Sequence, residues 1–510
     1  MRDLTCTLLL CTIVSGSAAV HARGQAPSSI APTQSGASGS EVEQKLEAIS
    51  NALTTTRQQL DQSQQQIIQL QAELAEVKRQ LGSHTAAAPA VSNDPDPSQT
   101  ASSSSNAQST DERLQTLEAQ VKVHDQIKVE SASKYPVRVT GLVLFNGFMN
   151  RGSVDNIDLP SIATRQPAGT SDGSAGATLR QTILGIEASG PRLGGARTSA
   201  DVSFDFFGGI AYSNYGTASG IVRMRTASVN LDWSRDSVQF GMVAPLISPL
   251  SPTSYATVAE PGMAWAGNLW SWSPQLRVAH RIPVSDDKHL QFEFGLWDPS
   301  SSGYNTSDVF RSPSAGEQTK QPGYEGRFSF GSSGDRGPQA GVGGYYSRQT
   351  YGSSNNDAWA VTADWRVPLA HRFELSGEGY RGRSLGGLGG GVYKDVIFGT
   401  DPISGATVWR GLNDIGGWTQ FKSRFGQSLE TNATIGQDNG FASDFHAVVI
   451  PSNATNTALR ARNRMLVGNV IYRPKTYLIF SPEYRRIWTW PIAGKGSTAD
   501  VFTLSVGYQF

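Results

Sequence analysis

The sequence predicts an all-β fold, a transmembrane antiparallel β-barrel of about sixteen strands, preceded by an N-terminal coiled-coil helix. Three observations predict it. The chain ends in a strand with one apolar face, Phe502, Leu504, Val506, Tyr508 and Phe510, alternating with Thr503, Ser505, Gly507 and Gln509. Similar segments of roughly ten residues recur from Val137 onward, split by Gly, Ser, Asp, Asn and Pro clusters. The chain also opens with what reads as an export signal. A single two-faced strand also suits a soluble sandwich. A long series of them on an exported chain suits a closed barrel, in which lipid covers the apolar face and the last strand pairs with the first.

Composition sets the bounds. Across 510 residues, Lys+Arg and Asp+Glu are both 43, so bulk charge points neither to nucleic acid nor to an acidic partner. Apolar content is 38%, low for a globular chain, and no apolar run is long enough for a membrane helix. A barrel tolerates this, because only alternate residues of each strand face lipid.

Residues 1–22 carry Arg2, the apolar run Leu8–Val14 and a cleavage site after Ala22, with Val20 and Ala22 preceding it. Cys6 and Cys11, the two cysteines, leave with that segment, so the exported chain needs no disulfide. Residues 23–40 form a disordered Ser/Gly/Pro-rich spacer. Residues 41–81 form a coiled coil. Leu46, Leu53, Leu60, Ile67, Leu74 and Leu81 sit at a, and Val42, Ile49, Thr56, Ser63, Leu70 and Val77 sit at d. Leucine at a with Ile and Val at d shifts the preference from two strands to three or four. A trimer held by Leu46, Ile49, Leu53, Leu60, Ile67, Leu70, Leu74 and Val77 is therefore expected. A free amphipathic helix is the plainer alternative. Residues 82–110 are a polar linker including Ser102–Ser105, and residues 111–130 a short helix with Leu114, Leu117 and Val121.

The barrel domain is expected over residues 136–510. Its strands are read at Val137–Asn150, Leu179–Ala188, Thr198–Phe207, Val222–Trp233, Val238–Val243, Gln275–Arg281, Leu290–Trp297 and Tyr324–Phe330. They continue at Gln339–Ser347, Ala358–Val367, Phe373–Arg383, Gly417–Phe425, Leu429–Gln437, Arg464–Tyr472, Leu478–Arg486 and Val501–Phe510. Carboxylates at mid-strand cost too much against lipid and should face a wet lumen. Short connections such as Ser234–Ser237 and Arg473–Thr476 suit one end, long ones such as Asp298–Gly323 and Ser384–Gly416 the other. Trp233, Trp297, Trp359, Trp365, Trp488, Trp490 and Tyr508, near strand ends, fit interfacial girdles or ordinary packing.

One long connection differs. Between Val243 and Gln275 the chain is apolar and rich in Pro and Trp, with a lone acid, Glu260. Such a loop belongs inside the lumen, narrowing it. The expected pore lining is Glu260, Arg277 and Arg281 with Asp201, Asp205, Glu293, Glu374 and Glu378, a set able to sort solutes by charge. The alternative is a wide lumen with solvated charges and no selectivity. Arg223 and Arg225 fall near the outer rim.

The coiled coil Val42–Leu81, the loop with Ala266-Gly267-Asn268-Leu269-Trp270, the segment Ser481–Arg486 and the ending Val506-Gly507-Tyr508-Gln509-Phe510 together resemble the trimeric porins of Gram-negative outer membranes, and among them the DcaP-like porins. The resemblance implies passive uptake of small hydrophilic, often anionic, solutes through a homotrimer in outer-membrane lipid, with the coiled coil in the periplasm. It also implies that Phe502, Tyr508 and Phe510 serve as a signal read by the barrel-assembly machinery. Phosphate-selective porins are a neighbouring option, but this balanced chain shows no long ladder of basic residues.

No enzyme, cofactor, metal site or nucleic-acid partner is expected. The seven histidines form no metal-binding pair. The Gly-x-Ser-x-Gly matches at Gly169–Gly173 and Gly382–Gly386 lack the strand–turn–helix setting of a nucleophile elbow. Gly377–Gly382 has dinucleotide-loop spacing but lies in an expected strand. A third class is an envelope tether, with the coiled coil holding layers together and the barrel as its anchor.

Overall fold

The computed structural model describes residues 135–210, 220–299, 312–332, 337–451 and 459–510. The export signal, coiled coil, linker and short helix lie outside them.

The strands are β1 (Val137–Arg151), β2 (Gly173–Thr178), β3 (Ile183–Ser189), β4 (Arg197–Asp205), β5 (Arg223–Asp232), β6 (Asp236–Val243), β7 (Ser273–Pro283), β8 (Lys288–Trp297), β9 (Gly323–Ser332) and β10 (Gln339–Tyr351). They continue with β11 (Ser354–Pro368), β12 (Phe373–Arg383), β13 (Val396–Thr400), β14 (Thr407–Gly411), β15 (Asn413–Phe425), β16 (Leu429–Gly440), β17 (Arg460–Lys475), β18 (Leu478–Pro491) and β19 (Ser497–Gln509). All except β13 and β14 form one 17-stranded sheet. Both β2 and β3 pair with β1, the first with Asn146–Arg151 and the second with Val137–Leu142. They are two halves of one stave, interrupted at residues 179–182, so the sheet has sixteen staves. It closes antiparallel between β1 and β19, from Leu142 opposite Gln509 to Arg151 opposite Asp500.

Closure disposes of the exposed terminal edge. The Phe510 amide donates to the Gly141 carbonyl and the Gly141 amide to the Phe510 carbonyl, both at 3.0 Å. No edge is left open, as a sheet in lipid requires. The outer face is apolar: Phe292, Phe294, Phe330, Val361, Ile435, Leu466 and Leu504 all project from it and are exposed. The inner face is polar. On β16, Glu430, Asn432, Thr434 and Asp438 are buried inside while Ala433 and Ile435 are exposed outside. The period of two sets this division along every stave.

The sixteen expected strands are all present. Four elements were not expected. The Gly173–Thr178 segment, GSAGAT, carries no large apolar residue to mark it. β13 and β14 form a separate hairpin in the long connection after β12. A short helix α1 (Ala442–His446) follows β16. One end of the barrel carries both β1's start and β19's end, together with short turns such as residues 369–372, 426–428 and 476–477. Long connections leave the other end, except after β10 and β18. Trp297 departs from the girdle expectation: it faces inward, is 1% exposed and packs with Leu246 and Ile247.

Candidate pore and constriction loop

The connection from β6 to β7 (residues 244–272) enters the barrel and runs around its inner wall. Its backbone and side chains are tied to stave after stave. The Leu246 amide donates to Glu325 Oε2 on β9 at 2.8 Å. The Ile247 carbonyl accepts from Thr362 Oγ1 on β11 at 2.7 Å. Glu378 on β12 accepts from Ser248 Oγ and from the Leu250 amide, the latter at 2.6 Å. Lys422 Nζ on β15 donates to Thr253 Oγ1 at 2.8 Å, and Asn469 Nδ2 on β17 to the Thr253 carbonyl at 2.9 Å. Ser254 Oγ donates to Glu483 Oε2 on β18 at 2.5 Å.

The loop then reaches the break between β2 and β3. Gln181 sits there, fully buried. Its Oε1 accepts from the Val258 and Ala259 amides at 2.7 and 3.1 Å, and its Nε2 donates to the Ala256 carbonyl at 3.1 Å. Arg223 on β5 donates to the Ala259 carbonyl at 2.7 Å. The segment 246–259 therefore follows most of the inner circumference. An apolar loop carries many backbone groups that need partners once water is displaced. Acidic and amide side chains from the wall supply those partners.

The return half, residues 260–272, crosses back to the far wall. Asn463 Nδ2 on β17 donates to the Trp265 carbonyl at 3.0 Å. Gly436 on β16 lies against the Ala266 carbonyl, and a Cβ there would collide with it. Met263 and Trp265 both adopt left-handed backbone, φ 61° and 64°. Such strain persists only where surroundings over-determine it. Here the Trp265 ring meets Trp270 edge-on at 5.7 Å and Tyr393 at 4.5 Å, and its Nε1 donates to Glu260 at 3.1 Å. Burial pushes the Glu260 carboxyl up to about 7, with the Trp265 bond opposing in part.

The β1–β2 connection fills the same side. Arg485 Nη1 on β18 donates to the Pro160 carbonyl at 2.7 Å, and the Ala163 amide to Thr489 Oγ1 at 3.0 Å. Asp155 gathers that loop by accepting from the Ser161 and Ile162 amides at 3.0 and 2.9 Å. Burial raises its carboxyl above the usual range. Met263 and Ala266 pack with Ala163, Met465, Ile487 and Val501 in one apolar cluster.

The two loops divide the lumen. Inward residues of β9, β12 and β16–β18 are largely buried beneath them. Several inward residues of β3–β7 stay in contact with water: Glu187 and Arg281 are exposed, and Asp201, Asn230, Gln239 and Arg277 are half-buried, while Asp205, Ser228 and Gln275 are buried. Register sets these side by side. Arg138 is opposite Glu187, Glu187 opposite Asp201, Asn230 opposite Gln239, and Gln239 opposite Arg277.

The expected lining residues separate accordingly. Asp201 faces the open side and accepts from Ser228 Oγ. Arg277 and Arg281 face it too; Arg277 Nε donates to Gln275 Oε1 at 2.6 Å, and Arg281 lies beside Gln291. Glu260 is inside the barrel but enclosed within the loop. Glu293 is held at 2.7 Å by Arg327, which also pairs with Asp364 at 2.8 Å. Asp205 is fully buried between Arg223 and Arg225, at 2.7 and 3.7 Å. Glu374 is 5% exposed and paired with Arg424 at 3.0 Å. Glu378 is 5% exposed beneath the loop. The expectation that Asp205, Glu374 and Glu378 line water is corrected: they are buried, and they pair with half-buried arginines or hold loop backbone. Arg138 and Glu187 were missed on the open wall, although alternation with Ile186 already turned Glu187 inward. The loop anchors Glu325, Glu483 and Gln181 were missed as well.

Two of the enzyme-like motifs have a defined setting. Gly377–Gly382 lies within β12. Ser384 accepts from Asn356 Nδ2 at 2.5 Å in a buried setting. Among the described residues no group of His, Cys, Asp and Glu is placed to hold a metal ion.

A closed sixteen-stave barrel with a loop folded against its inner wall is porin-type architecture. Among solved structures the fold is similar to the outer membrane channel DcaP of Acinetobacter baumannii, with TM-score 0.55 and 15% identity over 74% of this chain and 99% of that one. The anion-selective porin from Comamonas acidovorans aligns with TM-score 0.46 and 11% identity, over 74% of this chain and 100% of that one. No known family profile matches the chain, and no curated protein matches it. The barrel is thus DcaP-like in fold.

Proposed function

We propose that this chain is an outer-membrane porin that lets small hydrophilic solutes, anionic ones among them, diffuse through a narrowed aqueous lumen. The observation that carries the reading is the asymmetric lumen. A charged wall in contact with water, with Arg138, Glu187, Asp201, Arg277 and Arg281, faces a loop tied around the rest of the inner surface. Unpaired charges along one wall of a confined path produce a field that acts on dipolar and charged solutes. The apolar outer face and the closed β1–β19 seam suit lipid.

The coiled coil expected at residues 41–81 is the trimerising element in this reading, and it belongs to the periplasm. Phe502, Tyr508 and Phe510 project from the outer face of the closing strand, where an assembly factor can reach them. The test is single-channel conductance of the full chain in planar bilayers, with reversal potentials in a salt gradient. Stepwise closure in threes supports the trimeric pore. Folded, inserted protein with no conductance would refute the pore and leave the tether.

A further inference from the structure

The outer face of the barrel changes character near the long-loop end of β17, β18 and β19. Lower on these strands it is apolar, with Leu466, Val470, Pro482 and Leu504. Higher up it carries Arg462, Arg464, Arg486, Trp488 and Trp490. These face outward, because their neighbours Asn463, Met465, Ile487 and Thr489 are buried inside. Register makes the patch compact: Arg462 is opposite Trp490, Arg464 opposite Trp488 and Leu466 opposite Arg486.

Two of these guanidinium groups flank one indole. Arg462 lies 4.1 Å and Arg464 5.7 Å from the Trp490 ring. Arg486 lies 5.5 Å from the Trp488 ring. Stacking holds the planar groups against the wall, with the Nε of Arg462 and of Arg486 buried there and the Nη groups of Arg462 left to meet a ligand. The nearby acid is Asp500, 3.6 Å from Arg486 and bonded by Tyr484 Oη at 2.6 Å. Among the described residues neither Arg462 nor Arg464 has a carboxylate partner; Arg464 bonds the neutral Gln437 at 2.6 and 2.8 Å. Arg151, directly across from Asp500 on β1, adds a further exposed cation.

Unpaired arginines on the outer face of a barrel are costly in hydrocarbon and favourable at a headgroup layer. Their height, at the top of the apolar band beside outward tryptophans, is that of the interface. Two guanidinium groups on one indole offer N–H donors from both sides to a phosphate: the Nη groups of Arg462, and the Nη1 of Arg464, whose Nε and Nη2 are held by Gln437. We infer that Arg462, Arg464 and Arg486 with Trp488 and Trp490 form a site for phosphorylated lipid headgroups of the leaflet at the long-loop end. The occupant is a lipid phosphomonoester or phosphodiester. Its acyl chains lie down the Leu466–Val470 face and its phosphate bridges Arg462 and Arg464. The inference rests on the outward face being lipid-facing, and is independent of whether the lumen conducts.

The test uses the full-length protein in detergent and lipid A, a diphosphorylated glycolipid, as the probe, with adducts counted by native mass spectrometry. Arg462→Gln/Arg464→Gln should weaken lipid A binding at least about tenfold, and a rise in salt should weaken the wild type toward the variant. Lys288→Gln/Lys475→Gln, at the opposite barrel end, removes the same charge and should leave binding intact. Equal loss in both double variants would overturn the site in favour of non-specific attraction. Unchanged lipid binding with a loss of oligomers in the arginine variant would overturn it in favour of contact between copies. Arg462→Lys/Arg464→Lys covers a folding failure: it keeps the charge, and should lose part of the binding through the missing fork. Full binding by that lysine variant would reduce the site to bulk charge. Conductance of the glutamine variant should match the wild type, so failure here leaves the pore reading untouched.

Discussion

Replacing Glu378 with alanine tests the constriction most directly. Its carboxylate is buried under the loop and accepts from Ser248 Oγ and the Leu250 amide. Truncation leaves both donors without a partner in an enclosed place. An unsatisfied buried group costs about 1–3 kcal/mol, so the seat of the loop loses roughly 2–6 kcal/mol, toward the lower end where water fills the gap. At about 1.4 kcal/mol per tenfold, even the lower figure raises the unseated population some ~30-fold. The neighbouring ties at Glu325 and Glu483 remain, so the loop should loosen over residues 248–252 rather than detach. Single-channel recording should show a larger, noisier conductance for Glu378→Ala. Glu378→Gln, which keeps an acceptor, should fall between variant and wild type. The folded barrel is verified by its heat-dependent gel mobility. A folded Glu378→Ala channel with wild-type conductance and noise would refute the claim that this loop sets the narrow point.

Glu260 gives a pH signature. Its folded pKa is raised by burial from 4.5 to about 7, so the folded state holds the proton more tightly than the unfolded chain. The seating of the loop is then firmest at low pH and loses stability as pH rises from 4.5 to about 7, by up to roughly 3 kcal/mol. The protection of residues 260–272 against hydrogen exchange, taken relative to the intrinsic base-catalysed rate, should fall across that window and become flat in Glu260→Gln; a slope surviving in the variant rules the mechanism out. Neutralising the open wall by Arg277→Gln/Arg281→Gln should shift the reversal potential toward cations, while Glu187→Gln/Asp201→Asn should shift it toward anions. Identical reversal potentials in both would mean the wall does not sense permeant charge. Gly436→Val should dislodge Ala266 and raise conductance, because a side chain meets the loop carbonyl there; a crystal structure with the loop unmoved would contradict this. Phe510→Asp should reduce the assembled outer-membrane fraction while sparing backbone pairing with Gly141, and normal assembly would dismiss the terminal signal.

The staves were legible because lipid and lumen impose opposite demands on alternate residues. Phe292 and Phe294 against Gln291 and Glu293, or Leu504 and Val506 against Thr503 and Ser505, report that directly. β2 was illegible because its short stretch of Gly, Ala, Ser and Thr presents neither face strongly. The inward loop was legible from apolar content alone, since Trp265 and Leu269 have no business in a solvated connection. Its path was not, because the ties are made by Gln181, Glu325, Glu378 and Glu483, scattered over the chain. No local pattern marks Gln181, whose role comes from the break between β2 and β3 that frees its side chain to reach the loop.

The same limit explains why carboxylates of one type ended in two roles. Period two assigns Asp201, Asp205, Glu293, Glu374 and Glu378 to the inner face and says nothing about what covers that face. Wherever such a group is covered, it needs partners, and the structure supplies them: Arg327 for Glu293 and Asp364, Arg424 for Glu374, Arg485 for Glu483, and, at the loop-covered top of β4, Arg223 for Asp205. Those charges cancel locally and contribute little to the field along the passage. On the open side, water screens the charges, and Arg138, Glu187, Arg277 and Arg281 have no ion pair among the described residues. The equal totals of acid and base in the chain therefore conceal an uneven lumen. In the proposed pore, it is the few unpaired groups on β1, β3, β4 and β7, not the net charge, that would set selectivity.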